Sequence, residues 1–168
     1  DCPVCTSKYM AEKREDFIRI MDAWVANGGR VHSMTLTLRN SFLEPSRAKY
    51  EALSRTWTTM NRRRPFQALK AEIGAESVRV LEEVFTDEGW FPHYHLAWFV
   101  PAGVSRRRVN EFMKSTKTYW TEAANSVWKL GADFAPQFDK PVTAARSKSF
   151  AQYLFKHGFQ NLNFDPAK

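Results

Sequence analysis

The feature that most constrains the fold is a pair of apolar runs on either side of a short turn. Residues 77–86 (SVRVLEEVFT) and 91–100 (FPHYHLAWFV) are rich in β-branched and aromatic residues, and Asp87-Glu88-Gly89 separates them. Such runs joined by a glycine-containing turn predict an antiparallel β-hairpin. The pairing brings Glu82 and Glu83 of the first strand beside His93 and His95 of the second. Two of the chain's four histidines therefore stand in one buried-looking strand, with a single tyrosine between them.

The remaining elements follow from periodicity and breakers. Residues 7–27 carry Phe17, Ile18, Ile20, Met21, Trp24 and Val25 at helical spacing and end at Gly28-Gly29. Residues 31–40 (VHSMTLTLRN) set Thr35 and Thr37 against Met34, Leu36 and Leu38, a strand of period two. Glu44-Pro45-Ser46 opens a helix that runs to about Asn61. Arg62-Arg63-Arg64 and Pro65 interrupt it, and a short helix follows to Ile73. A long helix spans 105–130, a short extended piece 132–142, and a last helix roughly 144–157. There is no internal repeat, low-complexity stretch or interdomain linker, so residues 1–168 read as one domain. The order of elements predicts an α+β fold in which helices pack on a mostly antiparallel sheet.

A chain of 168 residues with 43% hydrophobic and 14% aromatic residues can bury a core and is not of disordered composition. The net charge of +7 points to a polyanionic partner, either nucleic acid or an acidic surface. No apolar run approaches the roughly 20 residues needed to span a bilayer, so no membrane role is expected. No signal-peptide pattern is present. The chain starts with Asp rather than Met, which reads as an excised fragment. Its two cysteines, Cys2 and Cys5, form a CxxC. This spacing is half of a zinc knuckle, with residues 1–6 as its remnant, or else an unbridged thiol pair. Either reading fits a reducing cytoplasm.

Residues two apart on a strand point to the same face, so His93 and His95 project together, about 7 Å apart at the backbone. Two imidazoles so placed can share a divalent ion, or be core histidines with hydrogen-bond partners of their own. A carboxylate from the neighbouring strand would complete a two-histidine, one-carboxylate set. The pattern leaves open which glutamate faces the histidines. In the last helix Tyr153 and Lys156 lie three apart and share a helix face. An ammonium near a phenol favours the phenolate and can hold a phosphate.

Taken in order, MTLTLR, the glutamate-bearing strand with PHYH, and YLFK resemble the three motifs of the HUH endonucleases, in which His93-Tyr94-His95 is the histidine–hydrophobic–histidine element. Within that superfamily the chain is similar to the plasmid rolling-circle replication initiators, and to their actinobacterial branch in particular. The matching pieces are Cys2-Pro3-Val4-Cys5, Thr35-Leu36-Thr37, Val78-Arg79-Val80-Leu81-Glu82 and the stretch Gly89 to His95. The resemblance covers nearly the whole chain and is strongest in the middle motif. It implies that Glu82, rather than Glu83, joins His93 and His95 in holding Mn²⁺ or Mg²⁺. It implies that Tyr153 is the nucleophile forming a 5′-phosphotyrosine bond, with Lys156 steadying the phosphate or the phenolate. The implied activity is nicking and rejoining of single-stranded DNA at a replication origin, with a host helicase and polymerase as further partners. Two departures stand out. Phe91 occupies a position where many relatives have another histidine, and residues 147–152 hold no acidic group that could activate water in a terminating step.

The expected DNA contacts are Arg62, Arg63, Arg64, Arg106, Arg107, Arg108, Arg146 and Lys148, although each cluster also reads as a solvated helix end. The alternatives to an initiator are a single-tyrosine transposase or relaxase of the same superfamily, and a noncatalytic nucleic-acid-binding α+β module. Relaxases place the tyrosine near the N-terminus, whereas Tyr153 follows the histidines.

Overall fold

A computed structural model describes residues 3–132, 137–138, 148–152 and 155. It is an α+β fold built on an antiparallel sheet. The elements are α1 (Pro3–Ala26), β1 (Arg30–Leu36), α2 (Ser46–Arg62), α3 (Arg64–Ile73), β2 (Glu76–Thr86), β3 (Gly89–Val100), α4 (Arg106–Val127) and the two-residue β4 (Gln137–Phe138). Residues 148–152 and 155 are also helical and belong to the expected last helix. The strand order is β2-β3-β1-β4, with β3 and β1 central.

The hairpin forms as its sequence predicts. Thr86 pairs with Gly89, and Gly89 has φ +83 in the left-handed region that glycine adopts without steric penalty. Among the described residues no other residue type has positive φ, so the turn is not the doubly left-handed kind. A charged side chain holds the hairpin tip to the helices. Lys49 of α2 is buried and donates to the carbonyl of Trp90 at 2.9 Å. Its burial lowers its pKa, and the nearby Glu44, Glu88 and Glu83 oppose that shift.

The sheet separates two apolar layers. On one face Met34, Leu36, Tyr94, Leu96, Trp98 and Val100 meet α2, α3 and α4 in the larger core, where Phe66, Phe112 and Trp120 are fully buried. On the other face Val31, Ala97 and Phe99 meet Phe17 and Met21 of α1 and Ala151 of the last helix. Phe17 sits edge-on to Phe99, with ring centroids 5.9 Å apart, and to Phe155 at 5.5 Å.

The strand expected over 31–40 stops at Leu36. The backbone beyond it finds its partners in α4 and the turn that follows. The Trp120 indole donates to the Thr37 carbonyl and the Trp128 indole to the Arg39 carbonyl, both at 2.9 Å, while Arg39 N–H donates to the Gly131 carbonyl. Side-chain donors thus replace the ladder, which sequence periodicity cannot register. The long helix likewise ends at Val127, because Trp128 leaves the helix to make this contact. The extended piece expected over 132–142 is described only at β4, and the rest of the expected last helix lies outside the described residues.

One buried group makes the fold sensitive to acid. His32 is buried and its Nε2 has no hydrogen-bond partner. Burial, reinforced by the Arg30 charge, lowers its pKa from 6.5 to about 4. Below pH 6.5 the unfolded chain takes up a proton that the folded chain refuses, so stability is lost as pH falls towards 4. Denaturant titrations across this window are expected to show a loss of about 3 kcal/mol traceable to this residue. His32→Gln should flatten that part of the pH profile, and an unchanged profile would remove His32 as its cause.

Candidate metal centre

The register of β2 on β3 builds the site. Glu82 lies opposite His93 and Val80 opposite His95. Alternation along β3 puts His93 and His95 on the same face as Ala97 and Phe99, the face covered by α1 and the last helix. Thr35 of β1 lies opposite His95 from the other side, so three adjacent strands contribute to one spot.

The polar atoms converge closely. His93 Nε2 lies 3.0 Å from Glu82 Oε2 and 3.1 Å from His95 Nε2, and His95 Nε2 also contacts Glu82 Oε2. The outer nitrogens are held as well. His93 Nδ1 donates to the Phe91 carbonyl at 3.2 Å, and His95 Nδ1 is 3.1 Å from Thr35 Oγ1. A carbonyl only accepts, so the proton of a neutral His93 ring is on Nδ1 and its Nε2 presents a bare lone pair. That lone pair faces a carboxylate oxygen and another imidazole nitrogen. Such convergence is repulsive unless a cation or an extra proton sits among them.

The three residues are only 5% (Glu82), 7% (His93) and 4% (His95) exposed. Burial pushes the Glu82 carboxyl up. Where an extra proton sits among the three side chains, N–H donation from the imidazoles to Glu82 and their positive charge outweigh burial and hold the carboxyl well below the usual carboxylate range. Glu82 is thus an anion at neutral pH. Its ligand atom and those of the two histidines all lie within 4.8 Å of one another, and the cluster can hold a metal ion.

The same register sends Glu83 to the opposite face. There it hydrogen-bonds the Tyr50 hydroxyl, and burial together with this bond raises the tyrosine pKa. Neither glutamate is a solvated edge carboxylate, since Glu83 is also buried. Two supporting groups escaped the sequence reading, the Thr35 hydroxyl and the Phe91 carbonyl. Thr35 stands out in the TLT alternation, but its pairing with His95 spans 60 residues of chain and is set only by the fold. Phe91 looked like a simple loss of histidine, yet its ring tilts against His93 with centroids 5.4 Å apart.

Six of the eight expected basic residues fall elsewhere. Arg62, Arg63 and Arg64 mark the junction of α2 and α3, and Arg106, Arg107 and Arg108 the start of α4. Both clusters belong to the helical layer on the other side of the sheet from Glu82, His93 and His95. Arg63 pairs with Glu122, Arg107 with Glu111, and Arg108 with Glu72 and Glu111. Lys148 is exposed on the last helix. Cys5 has a helical backbone in α1, while Cys2, Arg146, Tyr153 and Lys156 lie outside the described residues. Among the described residues no helix is long and apolar enough to cross a membrane. Comparison with protein-family models, curated proteins and solved structures finds no match to this chain.

Metal binding is directly measurable by thermal unfolding. A divalent ion at 100 times its dissociation constant should stabilise the wild type by about 2.7 kcal/mol. Glu82→Gln is expected to abolish the effect and Glu83→Gln to keep it. Thr35→Val, which removes the partner of His95 Nδ1, should weaken the apparent metal affinity about 10- to 100-fold. Equal responses from Glu82→Gln and Glu83→Gln would contradict this assignment.

Proposed function

We propose that the chain is a metal-dependent DNA nicking and joining enzyme of the HUH type, acting on single-stranded DNA at a rolling-circle origin. The observation that carries this reading is the buried convergence of Glu82, His93 and His95 on the sheet face packed by the last helix. Ala151 and Phe155 of that helix belong to the apolar layer on this face, and Tyr153 lies between them in sequence. The order of the TLT, HYH and YLFK elements along the chain is the second support.

The ligand atoms of Glu82, His93 and His95 lie within 4.8 Å of one another, close enough that one divalent ion could be held by all three. One carboxylate and two imidazoles suit Mn²⁺ better than Mg²⁺, which favours oxygen ligands. When bound, the ion would supply Lewis acidity to a non-bridging phosphate oxygen. Glu82 contributes the negative charge that retains it. The Phe91 carbonyl and Thr35 hydroxyl keep both imidazoles aimed inwards. In this reading the Tyr153 oxygen attacks phosphorus, the bond to the 3′ oxygen breaks, and that oxygen leaves as a hydroxyl carrying a proton. Lys156 steadies the phosphate or the phenolate. The phosphodiester energy is kept in the tyrosine link, so the 3′-hydroxyl can reverse the step.

The test is a denaturing gel of the protein mixed with a degenerate single-stranded DNA pool and Mn²⁺. A covalent adduct is expected, absent with EDTA, Tyr153→Phe or His93→Ala. Tyr153→Phe should retain the metal-induced stabilisation, whereas His93→Ala should lose it. Metal stabilisation of the wild type without any adduct would leave a structural metal centre in a noncatalytic binding module.

A further inference from the structure

The chain's charge is unevenly placed. Segments 46–73 and 106–127, which contain α2, α3 and α4, hold twelve Lys and Arg and four Glu. Their net charge is +8, against +7 for the whole chain. The rest of the molecule, including the acidic β2–β3 hairpin, therefore sums to about neutral. The positive charge resides in one layer, and the sheet stands between that layer and the Glu82–His93–His95 cluster.

The basic side chains are arranged in stripes. On α2, Arg47, Arg55 and Arg62 are spaced by eight and seven residues and lie away from the buried Ala52, Leu53, Thr56 and Met60. On α4, Arg107, Lys114 and Lys117 are spaced by seven and three and avoid the face of Phe112, Met113 and Trp120. All four glutamates of the layer are already engaged by its arginines, namely Glu51, Glu72, Glu111 and Glu122. Arg55, Arg62, Arg64, Arg106 and Lys114 are exposed and have no ion-pair partner among the described residues. Uncompensated like charges held together on rigid helices favour a polyanion.

The apolar surface identifies the occupant. Among the described residues the exposed large hydrophobics are Tyr9, Ile20, Phe42, Leu43, Leu81, Phe85 and Trp90, and none belongs to α2, α3 or α4. A helix that lies on a bilayer needs an exposed apolar face, which these helices lack. A single-strand groove needs aromatic platforms for unpaired bases, which are also missing here. What remains is contact to phosphate alone. From Arg47 to Arg62 the α2 stripe runs about 22 Å, roughly two thirds of a turn of duplex DNA.

We propose that the outer surface of α2, α3 and α4 docks the phosphate backbone of double-stranded DNA, on the side of the sheet away from the metal centre. Duplex is held there by charge, independently of any chemistry at the cluster, and the proposal does not rest on the nicking reading. On that reading, the surface would hold the flanking duplex while a single strand enters the opposite face.

The experiment measures binding of the full chain to a blunt-ended fluorescent duplex of arbitrary sequence by anisotropy, over a salt series. The test variant is Arg55→Ser, Arg62→Ser and Arg64→Ser combined, with a melting curve to show that it folds. Its plot of log affinity against log salt should be shallower than that of wild type by about 2 to 3, with affinity at least about tenfold lower at low salt. Glu82→Gln should bind duplex as wild type does. A folded triple variant with unchanged slope and affinity overturns the proposal. So does loss of duplex binding in Glu82→Gln, which would place the duplex at the cluster face. A triple variant that keeps duplex but loses binding to phosphatidylglycerol vesicles overturns it in favour of a lipid surface.

Discussion

The pairing register of β2 against β3 is the constraint on which the rest depends. A slip of one residue would turn every β2 side chain to the opposite face. Glu82 would leave the histidines, and Glu83 would be thrust among them from a strand whose apolar residues then faced water. Several independent contacts oppose that slip. Gly89 fixes the turn, Lys49 holds the carbonyl of Trp90 from the helical side, and Arg79 lies over the rings of Tyr94 and Trp57, 4.3 and 4.9 Å from their centroids. A buried lysine on a backbone carbonyl is an expensive way to anchor a hairpin. Here it contributes position, since it acts three residues before the first histidine.

The two faces of the sheet divide the work. The helical face holds the bulk of the core, with Trp98, Trp120, Phe66 and Phe112 fully buried. Stability is therefore concentrated on the side that carries no converging ligands. The other face is smaller, and its apolar layer of Phe17, Phe99 and Ala151 leaves the end of the strands to polar groups. Placing three mutually repelling ligand atoms there is tolerable because the opposite face anchors the same strands.

The hairpin, the face shared by His93 and His95, and the α+β class were legible because each depends on near neighbours in sequence. Period-two alternation and a short turn suffice for them. The choice between Glu82 and Glu83 was not legible from pattern, because an alternating strand of unknown register offers both. Thr35 was missed for a related reason. Its partner lies across a pairing of β1 with β3 that helices α2 and α3 interrupt in sequence. The early end of β1 depended on two indoles from α4 and the turn after it, and periodicity contains no information about such donors. Charge counting showed a net excess of positive charge but not where it lies. Only the fold shows that Arg62–Arg64 and Arg106–Arg108 share a layer and stand apart from the histidines.

Among the described residues β2 has β3 as its one neighbour, so one backbone edge along its eleven residues is unpaired. Edges of this kind recruit other strands and promote aggregation. Among the described residues β2 also supplies the one carboxylate of the cluster that could hold a metal ion, while both histidines come from the central strand beside it. An ion held by all three would therefore act as a clasp across the outermost ladder and resist fraying of the sheet rim. Loss of such an ion would then loosen the sheet rim and favour aggregation, through the same glutamate.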